Sequence, residues 1–179
     1  SHAHLIDPHI WTSPNNLLLM VDAICQKVIS LDESNKDFYL SNALAYKTEI
    51  FKIIDDLNEI KEQSKDTTFY FGSPFAFYYL FNEFDLKYYS VYKTCSVEVD
   101  PSMNDILDIT KLLVDNNIKY LFVKELSATQ VAESIVADTT VEIVLLHSGH
   151  NVSKTDFDNG ITLLEIMRNN VEKLRKAIV

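Results

Sequence analysis

The stretch Leu145-Leu146-His147-Ser148-Gly149-His150 decides the predicted fold, because it combines the end of an apolar run with two histidines. The apolar run covers residues 141–146 and predicts a buried β-strand. Gly149 permits a tight turn after the strand, so both imidazoles lie in one short loop. Imidazole nitrogen is a preferred zinc ligand, and the stretch therefore predicts a strand that ends at a metal site.

Three more β-prone runs precede this strand, at residues 67–71, 87–92 and 120–123. Strands that alternate with helices predict an α/β fold, with a four-stranded parallel sheet flanked by helices. In such a sheet the loops after the carboxyl ends of the strands meet at one crevice, where ligands bind. The predicted helices of this region cover residues 75–84, 101–116, 128–137 and 156–179, with Phe157 on the inward face of the last one.

The chain before these strands is predicted to be helical. Ser13 is a candidate N-cap, and Pro14 a candidate first residue, of one helix. Residues 36–65 contain neither Gly nor Pro, and their apolar positions form one stripe that includes Leu40 and Leu44. A helix of roughly 28 residues is near 40 Å long, at about 1.5 Å per residue, which is more than one small lobe needs. We therefore predict a long helix that links two lobes.

Composition excludes several classes of protein. The chain has 179 residues, of which 47% are apolar, so it can bury a core of its own. Its formal net charge of -10, with only 16 Lys and Arg, argues against binding to nucleic acid, which requires clustered positive charge. No apolar run approaches the roughly 20 residues that a membrane helix needs. With only three glycines, a Gly-rich phosphate-binding loop is not expected either.

Three histidines are candidate metal ligands. His147 directly follows the predicted strand, so its side chain starts at the rim of the crevice, and His150 lies one tight turn later. His9 lies in a stretch restricted by two prolines and beside Trp11, a rigid apolar side chain, so we expect it to be held in place. The alternative for His147 and His150 is a structural role, in which the imidazole caps a helix or hydrogen-bonds a loop carbonyl.

Glu125, Ser73 and Trp11 are candidates for supporting roles around these ligands. Glu125 follows the third predicted strand and precedes a helix, so we favour a helix cap or the orientation of an imidazole over direct ligation. Ser73 offers only a neutral hydroxyl, which is a poor metal ligand, and is expected in a turn or helix cap. Trp11 forms an apolar wall beside His9.

A catalytic metal would need an open coordination position and a general base near the bound water. Glu125 and Glu98 are the available carboxylates, but the spacings His-Glu-x-x-His, Gly-x-Ser-x-Gly and Cys-x-x-Cys do not occur in the sequence. We therefore predict that the chain is not an enzyme.

At Asp7-Pro8-His9-Ile10-Trp11-Thr12-Ser13-Pro14-Asn15-Asn16 the chain resembles the zinc- and manganese-specific solute-binding proteins of ABC importers. The pattern of that family is Asp-Pro-His-x-Trp, followed by a helix that starts with Pro-Asn. The resemblance extends over nearly the whole chain. It continues at Val99-Asp100-Pro101-Ser102, Phe122-Val123-Lys124-Glu125 and Met167-Arg168-Asn169-Asn170.

The resemblance implies two α/β lobes that are joined by one long helix and hold a metal between them with little hinge motion. Residues 1–35 then form the end of an N-terminal lobe with one metal ligand, residues 36–65 the interlobe helix, and residues 66–179 the C-terminal lobe. Members of the family are extracytoplasmic, as periplasmic proteins or cell-surface lipoproteins, and deliver their ion to an ABC transporter permease. We expect a monomer with no nucleic-acid partner.

The resemblance also implies a ligand set. His9 matches the second family ligand, and His147 corresponds to the fourth, which is usually a carboxylate. The third family ligand falls near Ser73-Pro74, where neither side chain can replace it, and His150 is the candidate that compensates. The first family ligand belongs to the first half of the N-terminal lobe, which has no counterpart in this sequence. Because imidazole in place of carboxylate favours zinc over manganese, we predict Zn²⁺, with Mn²⁺ or iron as the alternative.

A second function implied by the resemblance is a surface interaction, because such lipoproteins are sometimes called adhesins. The acidic exterior could serve a contact with a host or with the transporter. No residue supports adhesion specifically, and dependence of partner binding on a chelator would separate this function from metal transport.

Overall fold

A computed structural model describes residues 7–92 and 100–178. Glu98 lies outside the described residues. Two short 3-10 helices cover Ile10–Thr12 and Glu33–Asn35. The strands are β1 (Thr68–Phe71), β2 (Lys87–Ser90), β3 (Tyr120–Lys124) and β4 (Glu142–Leu146). The α-helices are α1 (Pro14–Leu31), α2 (Lys36–Gln63), α3 (Tyr78–Glu83), α4 (Met103–Asp115), α5 (Gln130–Val136), α6 (Lys154–Asp158) and α7 (Leu163–Lys176).

The four strands form one parallel sheet in the order β2-β1-β3-β4. This arrangement confirms the predicted α/β fold, a four-stranded parallel sheet flanked by helices. The carboxyl ends of all strands lie at the same edge, so the loops that follow Phe71, Lys124 and Leu146 meet there. The loop with His147 and His150 follows β4, which is an edge strand of the sheet.

Alternation along the strands divides the core between the two faces of the sheet. Phe69, Phe71 and Phe122 belong to a cluster with apolar residues of α1, α2, α3 and α7. Tyr70 and Leu121 belong to a second cluster with apolar residues of α4 and α5. Successive side chains of a strand point to opposite faces of the sheet. Neighbouring residues in β1 and in β3 are therefore buried in different clusters.

The long helix α2 begins at Lys36 as predicted and ends at Gln63. Its second half is buried, with Ile50 and Ile60 fully enclosed by the first core. Its first half is not, because Leu40 and Leu44 are 45% and 66% exposed. The predicted stripe is thus correct only where α2 packs against the sheet and α7.

Two predicted helices are wrong in extent. The last helix is divided into α6 and α7, because Gly160 adopts φ +70° after α6 and a capping box at Thr162 starts α7. Phe157, predicted to face inward, is 73% exposed on α6. The aromatic helix is shorter than predicted and starts at Tyr78, because Phe75 leaves the helix to stack on Tyr88 at 3.7 Å between ring centroids.

No helix within the described residues combines the length and apolar composition required to cross a membrane.

Gly72, directly after β1, lies where α5 packs closely on the sheet. A Cβ at this position would be 2.9 Å from Cδ2 of Leu121, 3.0 Å from Cβ of Ala132 and 3.3 Å from its Cα.

We expect Gly72→Ala to lower the free energy of unfolding by about 1–3 kcal/mol, because neither strand nor helix can move freely. Urea denaturation measures this. The control is Gly160→Asn, at a position with open space and a left-handed backbone that Asn tolerates. Equal stability of Gly72→Ala and the parent chain would contradict the close packing.

Candidate metal centre

His9 is buried and held by its neighbour Asp7. The Asp7 carboxylate oxygen Oδ1 accepts a hydrogen bond from the His9 backbone N–H at 2.9 Å and lies 2.5 Å from His9 Nδ1. His9 is only 5% exposed. A carboxylate at Nδ1 fixes the orientation of an imidazole and leaves Nε2 available for a metal. In the sequence, Asp7 is notable only as part of the family pattern. The structure shows that its carboxylate orients the His9 ring.

The backbone of His147 is fixed by the side chain of Asn170 in α7. The His147 N–H donates to Asn170 Oδ1 at 2.9 Å, and Asn170 Nδ2 donates to the His147 carbonyl at 2.7 Å. Asn170 is buried, and the sequence predicted no role for it at the site, although it belongs to the stretch that carries the family resemblance. A signal existed, since Asn170 is the polar residue on an otherwise apolar helix face between Met167 and Val171.

Glu125 acts on this loop through Ser148. Its carboxylate accepts hydrogen bonds from Ser148 N–H at 2.8 Å and Ser148 Oγ at 2.5 Å, in a buried environment. Its Oε1 is 3.9 Å from His147 Nδ1, which is too long for a hydrogen bond. Glu125 is not a helix cap, because α5 has Thr129 at its N-cap position. The carboxylate therefore positions the loop backbone between the two candidate ligands.

Trp11 joins the two parts of the chain that carry the histidines. Its indole Nε1–H donates to the Ser148 carbonyl at 2.9 Å. Its ring centroid lies 5.5 Å from that of His9 and 6.0 Å from that of His150. The indole thus connects the segment before α1 with the loop after β4.

The structure brings His9 and His150 together, with their ring centroids 5.3 Å apart. His150 is exposed, so this pair lies at the surface end of the site. His147 lies elsewhere in the loop, where its Nδ1 accepts a hydrogen bond from Gly149 N–H at 2.9 Å. Within residues 7–92 and 100–178, no group of three or more His, Cys, Asp or Glu side chains is arranged to hold a metal ion. Two of the three predicted ligands are therefore adjacent.

Ser73 is buried, and its hydrogen bonds go to neighbouring strands rather than to an imidazole. Its Oγ accepts a hydrogen bond from the Lys124 N–H at 2.8 Å, and its carbonyl accepts one from Ser90 Oγ at 3.3 Å. Ser73 does not cap α3, which has Phe77 at its N-cap position. Its hydrogen bonds connect the ends of β1, β2 and β3, so Ser73 stabilises the sheet edge that supports the loops.

The family comparison covers almost the whole chain. Residues 1–177 match the model of the family described as ZnuA, the zinc-uptake complex component A, periplasmic. The chain belongs to this family. The family consists of solute-binding components of a transport system and is not a family of enzymes.

Individual relatives agree in fold and are longer than this chain. The high-affinity zinc uptake system protein ZnuA of Bacillus subtilis (strain 168) is 24% identical over 177 residues, which are 99% of this chain and 55% of that protein. The metal-dependent lipoprotein YcdH of Bacillus subtilis has a TM-score of 0.82 at 23% identity, over 100% of this chain and 67% of that one. The laminin-binding protein Lmb of Streptococcus agalactiae, described as bifunctional with adhesin and metal transporting activity, has a TM-score of 0.75 at 25% identity, over 98% and 65%. The chain thus spans about half the length of the zinc uptake protein that it matches.

The pKa of His147 is lowered, chiefly by burial. Lys173 adds to this effect, while Glu125 and Asp156 oppose it. All four residues line a cavity of about 280 Å³. In the unfolded chain the histidine pKa is about 6.5, so below this pH the unfolded state binds more protons than the folded state at this site. The contribution of His147 to folding is therefore lost as the pH falls below about 6.5.

We expect His147→Asn to reduce the pH dependence of stability in the metal-free chain. The Asn amide oxygen can accept the Gly149 N–H, so the loop hydrogen bond is kept while the titrating group is removed. The measurement is the urea midpoint at about pH 7.5 and about pH 5.5, with chelator present, on either side of the ordinary histidine pKa. An equal loss of stability on acidification in both proteins would show that His147 does not titrate in this way.

Proposed function

We propose that this chain is the metal-binding part of the solute-binding component of a zinc ABC importer. The observation that carries the proposal is the pair of imidazoles of His9 and His150, with ring centroids 5.3 Å apart and His9 Nδ1 already occupied by Asp7. Zinc is bound by neutral imidazole nitrogen, and an outer carboxylate increases the basicity of the ligand. The name of the matching family supports zinc as the cargo.

We propose His9, His147 and His150 as the zinc ligands from this chain. The ring centroids of His9 and His150 lie 5.3 Å apart, and His147 lies three residues before His150 in a loop that Glu125 and Asn170 position. To bind zinc, the His147 ring exchanges the hydrogen bond that its Nδ1 accepts from Gly149 N–H for the metal. Zinc takes four ligands, so these three leave one position for a further donor. A set made of imidazoles favours zinc over manganese, which prefers carboxylate and water.

The domain division follows the same reasoning. We propose that residues 1–35 complete an N-terminal lobe, that residues 36–65 link the lobes, and that residues 66–179 form the C-terminal lobe. Support comes from large apolar side chains that are exposed on α1 and the first half of α2, where a further part of the N-terminal lobe can pack. These exposed residues are Leu19, Ile24, Leu31, Phe38, Leu40 and Leu44.

The cellular setting follows from the family. We propose that the protein works outside the cytoplasm, in the periplasm or as a cell-surface lipoprotein, and delivers zinc to a membrane permease. The family description names a periplasmic component of an uptake complex. The related protein Lmb is described as both adhesin and metal transporter, so an adhesin-type role is the second candidate.

Calorimetry with zinc and manganese tests the ligand set. We expect zinc to bind more tightly than manganese, and His9→Ala and His150→Ala each to weaken zinc binding by about tenfold or more, since even outer residues of metal sites contribute about 10–100-fold. His147→Ala should weaken it as well. The control is Asn151→Ala, an exposed neighbour in the same loop. Tighter manganese binding, or zinc affinity unchanged in His147→Ala, would contradict the proposed set.

Asp7→Asn tests whether the carboxylate orients His9. The amide keeps the size of the side chain but removes the charge beside Nδ1. We expect a loss of about 10–100-fold in zinc affinity without a change in fold, as for other outer-shell partners of ligating histidines. The measurement is zinc competition against a chromophoric chelator, with circular dichroism for the fold. Unchanged affinity would mean that Asp7 stabilises only the local turn.

A further inference from the structure

Glu83, the last residue of α3, contacts the start of α1 from a position 68 to 70 residues away in the chain. Its Oε2 accepts a hydrogen bond from the Ser13 hydroxyl, and its Oε1 accepts one from Asn15 Nδ2 at 2.7 Å. Ser13 and Asn15 do not belong to the histidine site. Both follow His9 within six residues, so Glu83 connects α3 to the segment that carries this ligand.

The segment from His9 to Ser13 is held by its own hydrogen bonds. Thr12 N–H and Oγ1 both donate to the His9 carbonyl, at 3.2 and 2.8 Å, and Ser13 N–H donates to the Ile10 carbonyl at 3.4 Å. Ser13 Oγ also accepts from Asn16 N–H at 3.0 Å, so its hydroxyl hydrogen is directed at Glu83. A contact made at Ser13 is therefore transmitted to His9 through a short, hydrogen-bonded turn.

Two long-range hydrogen bonds connect this turn to other parts of the chain. Trp11 connects it to Ser148 in the loop of His150, and Glu83 connects it to α3. Together with the packing of Leu17 of α1 in the first core, these two contacts position His9 relative to His150.

The environment of Glu83 shows that its charge has a specific partner set. Burial raises the pKa of this carboxyl, and the hydrogen bonds from Ser13 and Asn15 lower it. Across the described parts of the chain, no Lys or Arg forms an ion pair with Glu83. A backbone hydrogen bond from Asn15 also lowers the pKa of Glu83, and the partial positive charge at the amino end of α1 favours the carboxylate.

We propose that Glu83 is a positioning residue for His9. Glu83 holds the turn of residues 9–13, here called the His9 turn, at the distance from His150 that zinc requires. The inference rests on the proposed zinc-binding function and deepens it. Glu83 itself does not touch the metal. Its effect is to pre-organise two ligands that are distant in sequence, so that less order has to be created when zinc binds.

Two substitutions with opposite charge changes test the proposal. Glu83→Gln removes a negative charge and leaves an amide NH2 facing one of two donors. Asn15→Asp adds a negative charge on an exposed side chain and places two carboxylates against each other. An acidic residue in the first turn favours the helix, so Asn15→Asp should leave α1 intact. The control is Asp85→Asn, which removes a negative charge two residues from Glu83 and an ion pair to Lys61, but no contact to the His9 turn.

We expect both test variants to weaken zinc binding by about tenfold, the lower end of the effect of outer residues at metal sites, and Asp85→Asn to bind as the parent chain does. A purely electrostatic effect on zinc would instead make Asn15→Asp bind more tightly. Tighter binding by Asn15→Asp, or unchanged binding by Glu83→Gln, would overturn the proposal.

Fluorescence of Trp11 supplies a readout that needs no metal. Trp11 is the single tryptophan of the chain and lies in the His9 turn. In the metal-free 179-residue chain, we expect Glu83→Gln and Asn15→Asp to increase acrylamide quenching of Trp11 and to shift its emission to longer wavelength. Unchanged Trp11 signals in both variants would also overturn the proposal. If the parent chain does not bind zinc, the proposed function fails, while the Trp11 signals still decide whether Glu83 positions the turn.

Discussion

The burial of the phenylalanine-rich face of the sheet is the constraint on which the rest of the structure depends. Phe69 and Phe71 in β1 and Phe122 in β3 point to one side, where α1, the second half of α2, and α7 enclose them. Burying side chains of this size stabilises the fold by about 1.5–3 kcal/mol each. The same packing brings the start of α1 to the carboxyl edge of the sheet, where the β4 loop lies.

At that edge, the candidate ligands are positioned by uncharged hydrogen-bond donors and buried carboxylates. Asp7 holds the His9 ring, Glu125 holds Ser148, and Asn170 holds the His147 backbone. Each contact satisfies a polar group that would otherwise be buried without a partner, which would cost about 1–3 kcal/mol. The site is therefore ordered by groups that also contribute to folding.

The acidic surface and the exposed apolar residues of α1 and α2 have different physical consequences. A net charge of -10 attracts cations over the whole surface, but does not select one. Selection between metals depends on the ligand atoms, and imidazole nitrogen differs from carboxylate oxygen in its preference. The apolar residues on α1 and the first half of α2 lie away from the sheet core, because no part of the described C-terminal region reaches them.

The sequence by itself determined the strands, their parallel arrangement, the long helix and the placement of His147 and His150 after a strand. Local hydrophobic periodicity predicts each of these elements from its own segment of sequence. Strands that are connected through helices then run in the same direction. The tertiary structure alone decided that His150 rather than His147 lies beside the His9 ring, that Glu125 binds Ser148, that Ser73 binds β3, and that Glu83 reaches Ser13. Each of these depends on contacts between residues that are far apart in the chain. Their distances are set by how the helices pack on the sheet, and no local pattern encodes that packing.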